Sequence, residues 1–202
     1  MDARHLSYVG PSLDDIEILP RLPRAYTQLL ASQNGFIAFA GGLHVRGAVL
    51  EPVWHSVRAV LEGPNALHGL FDAVTPADIP FAQDGVGDQY ILRQDLVVRL
   101  ETETGSLVPM QLDLSGFLDA VALDPVSVLR LQPLRNFQER GGVLKPGQLL
   151  SVYPPFVIST DSAERSYRAV AAQERLRSLA QFVRETQTLP DGTKITIKVP
   201  DA

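Results

Sequence analysis

The sequence predicts a single α+β domain in which a mainly antiparallel sheet is wrapped by helices. Its 202 residues, 45% of them apolar and 20% charged, have the size and composition of one folded globular domain. Three apolar runs, at 79–82, 89–93 and 97–101, follow one another with connections of only a few residues. Such short connections favour antiparallel neighbours, because a parallel pair needs a crossover of about a dozen residues or more.

The first elements are predicted to be a helix and then a strand or hairpin arm. The helix begins at Pro23, which suits the first helical position, and ends at the Asn34-Gly35 pair. Its apolar face is formed by four residues at helical spacing: Leu22, Tyr26, Leu29 and Leu30. The apolar run 36–40 is broken by two glycines and resumes at 43–45, and this pattern predicts a strand or one arm of a hairpin.

Helices are also predicted on both sides of the three central strands. Residues 52–61 indicate a short helix with Val53, Val57 and Leu61 on one stripe, ended by Gly63-Pro64. After the third strand a turn is predicted at 103–105, and residues 115–121 indicate the start of another helix.

The C-terminal part is predicted to form a helix–strand extension. A short helix near 126–131 is followed by connectors, and the proline pair makes 153–156 extended. Asp161 and Glu164 resemble a capping box that starts a long helix. Its apolar stripe is Ala169, Ala172, Leu176, Leu179 and Val183. Residues 193–199 alternate apolar side chains with lysines, which is typical of an edge strand.

Composition excludes several classes of function. The chain has no cysteine, which excludes disulfide frameworks, thiolate metal sites and cysteine nucleophiles and suits a reducing cytosol. The net charge of −5 argues against nucleic-acid binding, which draws most of its affinity from phosphate neutralisation. No apolar run approaches the roughly 18 residues of a membrane span, and the N-terminus lacks a signal-peptide pattern. We therefore expect a cytoplasmic protein that does not enter a membrane.

The negative charge is concentrated in the middle of the chain. Residues 51–124 contain twelve carboxylates and three arginines, a local net charge of −9. Such a segment repels phosphate and attracts a basic partner. The alternative is an ordinary solvated acidic surface with no partner.

No motif for catalysis, a metal or a cofactor is present. The four histidines are too scattered for a helical metal pair. The glycine- and aspartate-rich loop 84–88 matches neither a calcium loop nor a phosphate cradle. We interpret it as a tight connection whose aspartates accept bonds from backbone N–H groups, the alternative being a partner-facing loop beside Tyr90. Glu101 and Glu103 share a strand face, which is typical of a solvated surface.

A set of short motifs lies in a characteristic order along the chain. The motifs are Leu19-Pro20, Tyr26, Leu29-Leu30, Asn34-Gly35-Phe36, Gly41, Gly47, Ile79-Pro80-Phe81-Ala82, Asp84-Gly85, Gly87-Asp88, Tyr90, Leu92, Glu103-Thr104-Gly105 and Phe117-Leu118. In this order they resemble the SUKH superfamily, the Smi/Knr-type domain of bacterial toxin-immunity proteins and fungal cell-wall regulators. The resemblance covers about residues 15–122. We expect residues 123–202 to pack on the same core, so that 1–202 form one domain.

The resemblance implies a non-enzymatic module that binds another protein. Many bacterial members are thought to neutralise a cognate toxin, often a nuclease or deaminase, whose basic active face suits an acidic antidote. The alternative is a regulatory or scaffolding protein of a cell-envelope or secretion assembly. A third hypothesis is an enzyme that works through the 84–88 loop with Glu101 or Glu103, which requires converging carboxylates of raised pKa.

Seven residues are predicted to contact the partner. The aspartates of the loop steer a basic partner, and aromatic side chains carry much of the energy of an interface. The predicted contacts are Asp84, Asp88, Tyr90, Trp54, His55, Glu101 and Glu103. For Trp54 and Tyr90 the alternative is a place in the core. No metal or cofactor is predicted.

Overall fold

The structure, a computed structural model, describes residues 6–159, 164–190 and 192–194. The predicted α+β class is confirmed: these residues form strands and helices around a large antiparallel sheet. The strands are β1 (Leu6–Val9), β2 (Phe36–Ala38), β3 (Leu43–Val45), β4 (Ile79–Asp84), β5 (Gln89–Arg93), β6 (Leu96–Glu101), β7 (Ser106–Pro109), β8 (Gln148–Tyr153) and β9 (Ser166–Ala171). The helices are α1 (Arg24–Ser32), α2 (Arg58–Leu61), α3 (Leu67–Leu70), α4 (Leu114–Leu123), α5 (Pro125–Val128), α6 (Gln132–Glu139) and α7 (Ala172–Thr186).

The main sheet is a seven-stranded meander. Its spatial order is the chain order from β1 to β7, and each neighbouring pair is antiparallel. The three central strands predicted from the sequence are β4 to β6, and the segment predicted as a strand or hairpin arm forms both strands of the hairpin β2–β3. β7 is an additional strand, joined to β6 by the predicted turn at 103–105.

Both faces of this sheet are covered by apolar side chains. On β5, Tyr90 and Leu92 belong to the cluster formed with α1 and α4, whereas Ile91 belongs to the cluster formed with α7. Successive strand residues point to opposite faces, so a nearly continuous apolar run is what a sheet buried on both sides requires. Leu179, Ala180 and Val183 of α7 lie in the same cluster as the sheet residues Val98 and Leu100.

The first part of the predicted C-terminal helix is a strand in the structure. Residues 166–171 form β9, which pairs with β8 over six residues, and the helix begins only at Ala172. The alternation of exposed Ser166 and Arg168 with half-buried Tyr167 and Ala169 has the strand period, and it prevails over the helical stripe. The capping-box prediction is therefore wrong, since no helix starts at Glu164; Asp161 lies outside the described residues, as do residues 195–199 of the predicted edge strand.

Two short helices also differ from their predictions. The 52–61 segment is a 3-10 turn (Val53–His55) followed by α2, because the backbone of 55–57 bonds to Gly47 instead of continuing the helix. The helix predicted near 126–131 is the single turn α5, and a positive φ at Arg130 precedes the unpredicted α6.

Membrane crossing has no support in the described part of the chain. None of its helices combines the length and the apolar character that a bilayer span requires.

Gly105, in the turn between β6 and β7, gives a stability prediction. Its φ is +72°, and a Cβ atom there would lie 2.8 Å from a methyl carbon of Val183 on α7. We expect Gly105→Ala to lower the free energy of unfolding by about 2–3 kcal/mol, from the left-handed backbone and from the clash with a stiff β-branched side chain.

The matched control for this prediction is Gly141→Ala. Gly141 also has a positive φ, +83°, but a Cβ atom there meets nothing within 4 Å. Urea denaturation of both variants measures the two losses. For Gly141→Ala we expect only the backbone cost of about 1–2 kcal/mol. Equal losses at the two positions would show that α7 does not pack closely against the turn.

Candidate binding cleft

A cleft of about 290 Å³ opens where the ends of β5 and β6 face the α5–α6 connection. Three of the predicted site residues, Asp88, Glu101 and Glu103, line it. Arg130, from the α5–α6 connection, lies opposite them, and Phe156 and Val157 contribute an apolar part of the wall. The structure therefore brings Asp88, from the 84–88 loop, next to Glu101 and Glu103.

The loop that precedes the cleft is built around Asp84. Its Oδ1 accepts hydrogen bonds from the backbone N–H groups of Val86, Gly87 and Asp88, each at 3.0 Å. The interpretation of the 84–88 loop as a tight connection held by an aspartate is confirmed. Asp84 is buried, its Oδ2 has no hydrogen-bond partner among the described residues, and burial raises the pKa of its carboxyl group. The prediction that Asp84 contacts a partner is therefore wrong.

Asp88 lies at the inner end of the cleft. Its Oδ1 accepts hydrogen bonds from the backbone N–H of Thr102 at 2.9 Å and from the Thr102 hydroxyl at 3.1 Å. Only 8% of the residue is exposed, and burial raises the pKa of its carboxyl group. A flat partner surface cannot reach a side chain at this depth. That Asp88 contacts a partner stays a prediction, because its position on the cleft wall leaves it available to a group that enters the cleft.

Glu101 is held by two arginines. Its Oε1 lies 3.0 Å from Nη2 of Arg99 and 2.9 Å from Nη2 of Arg130. The Arg99 side chain is mostly buried, whereas 53% of the Arg130 side chain is exposed. One of these cations is therefore a fixed part of the sheet, and the other lies at the surface of the cleft.

The contact between Glu103 and Arg175 is the most buried of the three glutamate–arginine pairs near the cleft. Oε2 of Glu103 accepts a hydrogen bond from the backbone N–H of Val157 at 3.1 Å, and its Oε1 lies 3.7 Å from Nη2 of Arg175 on α7. Burial raises the pKa of Glu103 and lowers that of Arg175. Nε and Nη2 of Arg175 are buried and have no hydrogen-bond partner among the described residues.

Tyr90 is a core residue. It is fully buried, its ring lies 4.7 Å from that of Phe117 between centroids, and its hydroxyl donates to the carbonyl of Val128 at 3.3 Å. The prediction that Tyr90 contacts a partner is wrong, because strand alternation turns this residue toward α4. The core alternative for Tyr90 is confirmed.

Trp54 and His55 belong to a separate group. His55 is fully buried, with its Nδ1 2.8 Å from Nε2 of His44, so the prediction that it contacts a partner is wrong. Trp54 is half-buried, with its ring 5.0 Å from that of Tyr8 and 5.4 Å from that of His44. Among the described residues Trp54 lines a cavity of about 20 Å³ that shares no residue with the cleft. Its role as an interface residue stays a prediction.

Arg46 is the centre of a buried polar network that the sequence analysis missed. Its guanidinium donates to the carbonyl of Pro80 at 3.0 Å and to the side-chain oxygens of Gln83 and Gln89, each at 2.7 Å. Desolvation lowers the pKa of Arg46 to about 10. The strand period of the sequence could have indicated this network. It places His44 and Arg46 on one face of a strand, and two glutamines lie on neighbouring strands.

The hydrogen bonds of this network determine the protonation of both histidines. The Gln83 amide nitrogen lies 3.3 Å from His44 Nδ1, and His55 Nε2 lies 3.2 Å from the carbonyl oxygen of Asn34. An amide nitrogen only donates, so His44 Nδ1 accepts and the proton of His44 is on Nε2. A carbonyl oxygen only accepts, so the proton of His55 is on its Nε2. The 2.8 Å contact is then a hydrogen bond from His44 to His55, and both rings are neutral.

Metal ligation has no support in the described residues, where no group of three or more histidines and carboxylates is arranged to hold an ion.

Comparison with known proteins supports the fold alone. No protein-family model and no curated protein matches this sequence. A crystal structure of Atu4351 from Agrobacterium tumefaciens is similar in fold, with a TM-score of 0.54 and 13% sequence identity. The alignment covers 86% of this chain and 81% of that one. At this identity the similarity extends to the arrangement of the elements and to nothing further.

Proposed function

We propose that this chain is a non-enzymatic protein-binding module of the SUKH type, an immunity protein that neutralises a cognate bacterial toxin by direct binding. The observation that carries this proposal is uncompensated negative charge at the surface. The three arginines of residues 51–124, Arg58, Arg93 and Arg99, are all in ion pairs with carboxylates. Within the described part of the chain, six exposed carboxylates of the same segment have no ion-pair partner: Glu51, Asp72, Asp95, Asp113, Asp119 and Asp124.

The chemistry of the toxin follows from this charge. An enzyme that acts on nucleic acid binds phosphates through lysines and arginines, so its active face is basic. An acidic protein approaches such a face faster than a neutral one and competes with the substrate for the same cations. A nuclease- or deaminase-like toxin domain is therefore the partner that we propose.

The test needs a toxin domain encoded next to this chain's own gene, and the absence of such a gene would count against the proposal. Asp119→Asn combined with Asp124→Asn removes two exposed charges, and asparagine retains the cap that Asp124 provides to α5. We expect this variant to associate with the toxin domain on the order of tenfold more slowly at low salt, with a smaller difference at high salt. Stopped-flow association kinetics at two ionic strengths measure the effect.

The control is Lys145→Gln, which removes an exposed positive charge and should not slow association. The absence of both a complex and inhibition of the toxin's activity would overturn the proposal. A stable complex with a housekeeping protein of the envelope or of a secretion system would support the scaffolding alternative instead.

A catalytic role is the second candidate, favoured by the three carboxylates that converge on one cleft. Burial raises the pKa values of Asp88 and Glu103, as a general acid requires. Against it, each carboxylate already holds a structural contact: Thr102 for Asp88, Val157 for Glu103, and two arginines for Glu101. Turnover of a nucleotide, glycoside or peptide substrate that is lost in Asp88→Asn would establish catalysis.

A further inference from the structure

Asp88 is a buried carboxylate that lacks a cation in contact with it. Its Oδ1 is occupied by Thr102, and its Oδ2 has no hydrogen-bond or ion-pair partner among the described residues. Arg99 and Arg130 favour its charged form from a distance, but their ion pairs are with Glu101. Burial of a carboxylate is costly unless it is paired, so the structure leaves an acceptor for a cation at the inner end of the cleft.

A second acceptor lies on the same cleft wall. Arg99 and Arg130 both approach Oε1 of Glu101, and in the described residues its Oε2 accepts no hydrogen bond. Arg99 belongs to β6 and is mostly buried, so Glu101 keeps one cation even when the exposed Arg130 moves away. Arg130 therefore occupies a place that a cation from outside can share or take over.

Much of the remaining cleft wall is apolar, although four other polar residues also line it. Val86, Val126 and Pro133 line it together with Phe156 and Val157, which are 43% and 47% exposed. An arginine or lysine side chain has the matching form, an apolar stem that ends in a charged group. A cleft of about 290 Å³ is large enough for one such side chain and too small for a folded segment.

We propose that the cleft is a receptor for a single cationic side chain, arginine or lysine, of the protein partner, with Asp88 and Glu101 binding its charged group. That the side chain comes from a toxin rests on the proposed function. The recognition itself is a property of this chain, and it gives the basic partner an anchor in addition to long-range attraction.

The test is an NMR titration with blocked amino acids, which carry the side chain without a partner protein. N-acetyl-arginine amide and N-acetyl-lysine amide are the two cationic probes, and N-acetyl-citrulline amide is the neutral control of the same shape. We expect saturable shifts at the backbone amides of Thr102, Thr104 and Val157 with a cationic probe and none with citrulline. The cationic probe that binds more tightly identifies the preferred side chain.

Variants connect these shifts to the proposed acceptors. Asp88→Asn and Glu101→Gln should each weaken binding of the cationic probe at least fivefold. Asp119→Asn, which neutralises an exposed carboxylate outside the cleft, should leave binding within twofold. Glu101→Gln alone decides the matter if Asp88→Asn does not fold, because Glu101 is only half-buried.

Three outcomes would overturn the inference: equal shifts with citrulline, no saturable shift with either cation, or unchanged affinity in Glu101→Gln. None of them depends on the toxin. A negative titration together with toxin neutralisation would reject the cleft as a cation receptor and retain the proposed function. A positive titration without toxin binding would retain the cation receptor and reject the proposed function.

Discussion

Replacing Arg46 with alanine is expected to lower the free energy of unfolding by about 3–5 kcal/mol. Arg46 is 1% exposed, and its guanidinium donates to three acceptors, the Pro80 carbonyl and the side-chain oxygens of Gln83 and Gln89. Alanine leaves these acceptors without their charged donor and also creates a cavity. A buried acceptor that loses its partner costs about 1–3 kcal/mol, which makes this the largest single-residue effect that we expect.

Two further variants separate the polar contribution from the packing contribution. Arg46→Met retains most of the side-chain volume but no donor, so we expect it to recover only part of the loss. Arg135→Ala removes an exposed arginine from α6 and should change stability by less than about 0.5 kcal/mol. Guanidinium chloride denaturation followed by tryptophan fluorescence measures all three. A loss below about 1 kcal/mol in Arg46→Ala would show that the network does not need its cation.

The main sheet could be predicted because its signals are local. The strands β4 to β6 are apolar runs separated by short turns, and the connection lengths alone favour antiparallel pairing. The Asp84 turn could be predicted for the same reason, since its hydrogen bonds span only two to four residues. Short-range chemistry determines both features.

The segment 166–171 could not be predicted because its partner is distant. β9 pairs with β8, a separate segment of the chain, and without that ladder its residues extend the helical stripe of α7 backwards. The turn at 55–57 is similar, since the backbone of Gly47 supplies the hydrogen bonds that interrupt the predicted helix. In both places tertiary hydrogen bonds prevail over local periodicity.

The cleft was half predictable. Its carboxylates were visible as candidates from the acidic composition and the strand positions of Glu101 and Glu103. Burial was the main error, because the same alternation that identifies a strand does not show that both of its faces are covered. The arginines that lie against these glutamates, Arg130 and Arg175, come from elements far along the chain, and only the fold brings them to Glu101 and Glu103.

Acidification from pH 7 to pH 4 is expected to remove about 3 kcal/mol of stability through His55 alone. Desolvation and the charge of Arg46 lower the pKa of His55 from 6.5 to about 4, and the pKa of the neighbouring His44 is also lowered. A histidine whose folded pKa is depressed contributes its full stability above pH 6.5. That contribution is lost as the pH falls through the folded value, because the unfolded chain binds the proton first.

Three carboxyl groups act in the opposite direction. Burial raises the pKa values of Asp84, Asp88 and Glu103, so the folded state binds their protons more readily and gains stability on acidification. The His55 contribution is therefore measured as a difference between proteins. His55→Asn removes the titrating ring, so between pH 6.5 and pH 4 the variant should lose about 3 kcal/mol less stability than the unaltered chain.

An NMR titration of the native protein gives an independent measurement if His55→Asn does not fold. With Nε2–H of His55 donating to Asn34 and Nδ1 accepting from His44, the ring has no free nitrogen on which to accept a proton. Its carbon-bound protons should therefore keep a constant chemical shift from pH 8 to about pH 5. A His55 ring that titrates near pH 6.5 in the folded protein would contradict both the assigned tautomers and the role of the network in holding this end of the sheet together.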